Sequence, residues 1–66
     1  MKVFVNGEAV SCDPGLTIAE LIERHRLNPQ MILVEQNGVA LTRRDWSERS
    51  LQESDRLEIL TISAGG

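Results

Sequence analysis

The chain has 66 residues, with seven Lys and Arg against ten Asp and Glu, for a formal net charge of −3. That length makes one domain with a small core, burying only about 60% of the surface its unfolded form exposes. The acidic balance excludes the basic face that nucleic acid demands, and Phe4 and Trp46 are the only Phe, Tyr or Trp residues for base stacking.

No apolar run approaches the roughly 20 residues of a membrane span, and the opening MKVFVNGEAV lacks the apolar stretch of a signal peptide. Cys12 is the single cysteine, which rules out a disulfide framework and fits a reducing cytoplasm.

VFVNGEAVSC reads as two short strands around Asn6-Gly7, because a type I′ turn needs positive φ at both central positions. That turn sets Val5 opposite Glu8, Phe4 opposite Ala9 and Val3 opposite Val10. Alternation then places Val3, Val5, Val10 and Cys12 on the core face and Phe4 on the other.

Asp13-Pro14-Gly15 breaks the strand, and LTIAELIERHRL carries a helix signature. Thr17 and Glu20 have capping-box spacing, and Leu16 and Leu21 have that of a hydrophobic staple. Ile18, Leu21, Ile22 and His25 form one stripe, Glu20 and Arg24 an i,i+4 pair, and Asn28-Pro29 the stop. MILVEQNGVAL gives a strand, a second Asn-Gly turn at 37–38 and a short partner strand. TRRDWSERSLQESD reads as a loop with a short helical turn. Arg56 to Ile62 alternates again, with Leu57 and Ile59 on one face and Leu60 and Ile62 on the other.

One helix covers one face of such a sheet and leaves the other open. Phe4, Leu60, Ile62 and part of MILV are expected on that open face, which then is apolar where a wet face is normally polar. An exposed apolar patch of this kind marks a partner-docking surface.

Internal residues offer no active site and no metal ligand set. His25 is expected as a half-buried helix cap and Cys12 as core packing. Glu48, Glu53, Asp55 and Glu58 read as a solvated face, Trp46 as a lid over one end of the core, and no phosphate-binding loop is present.

What remains is the ending, SAGG. A random chain ends in two glycines roughly once in two hundred times at average usage. Read as a tail projecting beyond the last strand, Ala64, Gly65 and Gly66 present an α-carboxylate that becomes an acyl donor once adenylated. Glycines suit this task, since without Cβ atoms they thread a narrow channel and leave the carbonyl open to attack.

The segments VFVNGE, LTIAELI, VEQNGVAL, RRDW, DRLEIL and the terminal AGG resemble the ThiS family, the sulfur carriers of thiazole formation in thiamine biosynthesis. The terminal Gly-Gly is shared with related carriers, and Arg43 to Trp46 points more narrowly to this family. The resemblance implies an α+β, ubiquitin-like β-grasp domain over 1–62. Its mixed sheet of about five strands packs one helix on one face, followed by a flexible tail over 63–66. It also implies a cytoplasmic carrier and co-substrate rather than an enzyme.

On that reading an activating enzyme spends ATP to adenylate Gly66, and the carrier itself binds no cofactor and no metal. A cysteine desulfurase or relay protein supplies the sulfur of a Gly66 thiocarboxylate, and thiazole synthase takes it. Gly65 and Ala64 form the tail that reaches the partners' sites, while Phe4, Leu60 and Ile62 are the expected partner contacts. No nucleic acid or membrane partner is implied.

Two positions depart from the family pattern. Glu53-Ser54-Asp55 stands where Asp-Gly-Asp is frequent, so a turn requiring positive φ there is strained by Ser54, and Thr42 stands where proline is common. Alternatives are the small subunit of molybdopterin synthase, a ubiquitin-like modifier ending in an isopeptide bond, and a β-grasp interaction module. The two-residue Asn6-Gly7 turn argues against the first of these.

Overall fold

Both Asn-Gly dipeptides form the left-handed turns their chemistry favours. Asn6 and Asn37 each have φ +50°, and Gly7 and Gly38 each have φ +85°. The computed structural model describes residues 1–62. The first turn joins β1 (Lys2–Val5) to β2 (Glu8–Ser11), and the second joins β3 (Ile32–Gln36) to β4 (Val39–Leu41). Register in the first hairpin is as read from the turn, with Val3 opposite Val10, Phe4 opposite Ala9 and Val5 opposite Glu8.

Strand β5 (Arg56–Thr61) lies between the hairpins, parallel to β1 and antiparallel to β3. The order is β2-β1-β5-β3-β4 in a mixed five-stranded sheet, the β-grasp arrangement. The strand that comes last in the chain is therefore central in space.

Helix α1 (Ile18–Arg24) opens with a complete capping box. Thr17 N–H donates to Glu20 Oε1 at 2.9 Å, and Glu20 N–H donates to Thr17 Oγ1 at 3.1 Å. The Glu20 carboxylate is committed to Thr17, and the Arg24 guanidinium lies 3.9 Å from Asp13, so the close Glu20–Arg24 ion pair does not form.

The helix also stops earlier than Asn28-Pro29. Arg26 takes φ +55°, its N–H donates to Glu23 O, and Leu27 N–H donates to Ile22 O, which is a Schellman ending with arginine where glycine is favoured. Asn28 instead caps a 3₁₀ turn over Pro29–Met31. His25 is the C-cap of α1, with Nδ1 3.0 Å from Leu21 O, but it is exposed rather than half-buried because the chain turns away just after it.

The segment after β4 holds a second helix, α2 (Arg43–Glu48), fuller than a helical turn. Thr42 caps it, with Asp45 N–H donating to Thr42 Oγ1 at 3.3 Å and Thr42 N–H donating to Asp45 Oδ2 at 2.9 Å. After α2 the chain returns to the start of α1, where Ile18 N–H donates to Arg49 O and Leu51 N–H to Leu16 O.

Both helices cover one face of the sheet. Val3, Leu16, Ile18, Leu21, Ile22, Ile32, Val34, Trp46, Leu51 and Leu57 form the buried core, with Val5, Val10 and Cys12 packed against it. Burying a side chain of the Leu57 kind stabilises the fold by about 1.5–3 kcal/mol. Trp46 is only 5% exposed, with the Arg43 guanidinium 5.2 Å from its ring centre, so it is part of the core more than a lid over it. Among the described residues no helix is long and apolar enough to cross a membrane.

Candidate functional site

Strand β5 ends at Thr61, and the residues named from the sequence as the working tail, Ala64, Gly65 and Gly66, lie outside the described residues. The tail expected over 63–66 likewise lies outside the described residues. What the structure places is the strand leading to that segment and the surface around it.

The ladder between β3 and β5 sets Leu33 opposite Leu60, Val34 opposite Ile59 and Glu35 opposite Glu58. Ile62 N–H donates to Met31 O at 2.7 Å, so the antiparallel pairing runs one residue beyond β5. In such a ladder successive residues point their backbone groups to opposite sides. Leu60 and Ile62 therefore bond toward β3, while Leu57, Ile59 and Thr61 face the β1 side.

There Leu57 O accepts from Asn6 N–H at 2.9 Å. Ile59 meets the Asn6 side chain: its N–H donates to Oδ1 at 2.7 Å, and its carbonyl accepts from Nδ2 at 3.2 Å. Because β1 ends at Val5, Thr61 lies past the hairpin.

The sheet face away from the helices is apolar only at one end. Leu33 is 54% exposed, Leu60 47% and Ile62 39%. These three share the face at the end of β5 from which the chain continues. The middle of that face is charged, with Glu35 and Glu58 directly opposite each other and Arg56 opposite the half-buried Phe4.

Phe4 carries the Lys2 ammonium 5.5 Å from its ring centre. Its partner Arg56 is four steps along β5 from Leu60, a rise of about 13 Å. The structure thus brings Leu60 and Ile62 together with Leu33 and sets Phe4 apart. The expectation of a face apolar throughout is corrected by the charged rows of β5 and β3.

Asp55 is not on a solvated face. It is 8% exposed and accepts from Gln36 Nε2 at 2.9 Å, Asn37 Nδ2 at 3.0 Å and Gln52 N–H at 2.9 Å. Burial pushes its carboxyl up, but the donors from Asn37, Gln52 and Gln36 together outweigh burial and hold it below the ordinary range. Its role is to tie the second hairpin to the entry of β5. No local sequence signal marks it, because Gln36 and Asn37 lie 19 and 18 residues away.

Glu20 and Asp45 are likewise lowered, each chiefly by the N–H of its capping threonine. Among the described residues no three His, Cys, Asp or Glu side chains group to hold a metal.

The ThiS family model matches residues 3–66, nearly the whole chain and including the terminal Gly65-Gly66. The chain belongs to the ThiS family. The sulfur carrier protein ThiS of Escherichia coli K12 is 26% identical over 66 residues, covering 100% of both chains. A thiazole synthase of Magnetococcus marinus is 30% identical over 66 residues, and this chain spans 20% of that protein's length. In structure the chain is similar to the thiamine biosynthesis protein ThiS of Geobacter metallireducens, with TM-score 0.86, 28% identity and complete coverage of both chains. ThiS membership agrees with the resemblance read from the segments between VFVNGE and AGG.

Proposed function

We propose that this ThiS-family chain is a sulfur carrier of thiamine biosynthesis that acts through the Gly66 carboxylate, as a co-substrate of its partner enzymes. The observation that carries the reading is the family match running through Gly65-Gly66. Support comes also from an apolar patch at the root of that segment, made by Leu33, Leu60 and Ile62.

In the proposed cycle a carboxylate oxygen of Gly66 attacks the α-phosphorus of ATP on an adenylating enzyme, and pyrophosphate leaves. The acyl adenylate then accepts a persulfide sulfur at its carbonyl carbon. A C–S bond forms, the C–O bond to AMP breaks, and a thiol supplies the two electrons that release the Gly66 thiocarboxylate, ending as a disulfide. A cysteine desulfurase or a relay protein is the persulfide donor in this scheme, and thiazole synthase is the acceptor. Leu60 and Ile62, with Phe4 farther along the face, are the proposed contacts for these partners, and Ala64 and Gly65 carry the carboxylate into their sites.

Intact mass measurement after incubation with ATP, an adenylating enzyme, a cysteine desulfurase and cysteine tests this. A gain equal to one oxygen exchanged for sulfur, mapped to Gly66, is the expected result. An unchanged mass with partners active on another carrier overturns it, and an adduct on a lysine of a second protein assigns a modifier instead.

A further inference from the structure

We infer that Asn6 is a positioning residue for the carrier reaction: its side chain, acting as one extra rung of the sheet, fixes where β5 leaves the β1 ladder. The inference rests on the carrier reading above and adds a residue to it.

The turn alone needs only positive φ at Asn6, which glycine supplies at least as well. The side chain does something further. Its amide accepts from Ile59 N–H at 2.7 Å and donates to Ile59 O at 3.2 Å, so it pairs with β5 as a strand residue does, one step past the last backbone pair of Val5 with Leu57. Beyond that rung, Thr61 faces past the hairpin, and β5 is held from the β3 side by Leu60 and by the Ile62 bond to Met31. Asn6 is thus the last grip from the first hairpin before the chain reaches the segment that must enter a partner's site.

The second turn provides a matched comparison. Asn37 has the same φ, its N–H donates to Arg56 O at 2.7 Å, and its Oδ1 accepts from Arg56 N–H at 2.9 Å. It grips β5 at the entry, far from the exit. Asn6→Gly and Asn37→Gly each preserve a turn and delete an asparagine clamp at opposite ends of the same strand. Asn37→Gly also removes the Nδ2 donor to Asp55, so its exchange rates are compared after correction for its lower urea midpoint.

Amide exchange of the free protein gives a readout independent of any partner. In Asn6→Gly the Ile62 amide is expected to exchange about fivefold faster or more, about fivefold being the scale of one of the two hydrogen bonds lost, while in Asn37→Gly it keeps the wild-type rate once global stability is corrected for. With an adenylating enzyme that accepts the wild-type chain, Asn6→Gly is expected to raise the KM for the carrier about fivefold at unchanged kcat. Asn37→Gly leaves KM unchanged, and Asn6→Asp, which keeps the acceptor and loses the donor, falls between. Wild-type Ile62 exchange in Asn6→Gly, or an equal KM shift in both glycine variants, overturns the inference. Failure of the wild-type chain to be adenylated overturns the carrier reading instead, and the exchange data still decide the role of Asn6.

Discussion

Leu33 and Leu60 stand directly opposite each other on β3 and β5, both about half exposed, on the face that neither helix covers. Ile62 extends the pair toward the end of the chain. A cross-strand leucine pair in water contributes less than the same pair buried, so the arrangement is better explained by a partner than by stability. Leu60→Asp is expected to keep the fold, costing about 1 kcal/mol or less, because the side chain is not in the core. Its kcat/KM for adenylation is expected to fall about tenfold or more, the scale of a lost apolar anchor. Val39→Asp is the control, being 55% exposed but on the helix side of the edge strand. Wild-type adenylation by the Leu60 variant removes that side chain from the interface.

Asp55 gives the fold an acid-sensitive joint. Its folded carboxyl titrates below the ordinary value of 3.8, so it binds protons less readily folded than unfolded. Its contribution is fully present above that ordinary value and is lost as pH falls through the lower folded value. Denaturant titrations are expected to show stability declining below about pH 4, with less of that decline in Asp55→Asn. The substitution itself turns an acceptor toward donors from Gln36, Asn37 and Gln52 into a group with donors of its own. The expected cost is about 2–4 kcal/mol at neutral pH, read as a lower urea midpoint. A neutral substitution means that the network is replaceable by water.

Ser54 and Arg26 each hold a left-handed backbone, at φ +69° and +55°. Ser54 cannot relax easily, since its N–H donates to Lys2 O at 2.7 Å and closes the loop onto β1. Glycine adopts this conformation without the Cβ penalty, which is set against its larger entropy loss. Ser54→Gly and Arg26→Gly are each expected to add about 0.5–1 kcal/mol. The two backbone bonds share no partner, so the double variant should sum them. Thermal unfolding checks this, with a rise of about 4 °C or more per kcal/mol in a domain of this size.

The elements legible in the sequence are those with local causes. Asn6-Gly7 set a hairpin register that the backbone repeats, and Thr17 with Glu20 marked the start of α1. Thr42 and Asp45 carry the same capping spacing, yet a run of charged residues around a single Trp46 obscures the apolar stripe that makes a helix readable. Asp55 and the second role of Asn6 were hidden for another reason. Apart from the local Gln52 N–H, their partners lie 18 to 53 residues away, and a side chain's bonds across the sheet leave no periodicity along the chain. The apolar end of the open face was readable from Leu60 and Ile62, whereas the separation of Phe4 from them depended on the parallel register of β1 with β5.

The central position of β5 also orders events in time. Each hairpin closes through neighbours in sequence, but the two meet only through a strand made after both. The parallel pairing of Phe4 with Arg56 spans most of the chain and must wait for that strand, a non-local contact of the kind that slows folding in general. During synthesis the hairpins emerge with a gap between them, and β5 fills it like a bolt drawn last. A chain whose final strand is seated has, by that fact, a finished core. On the proposed carrier reading, the strand that leads toward Gly66 is thus also the strand whose docking joins the two hairpins into one sheet.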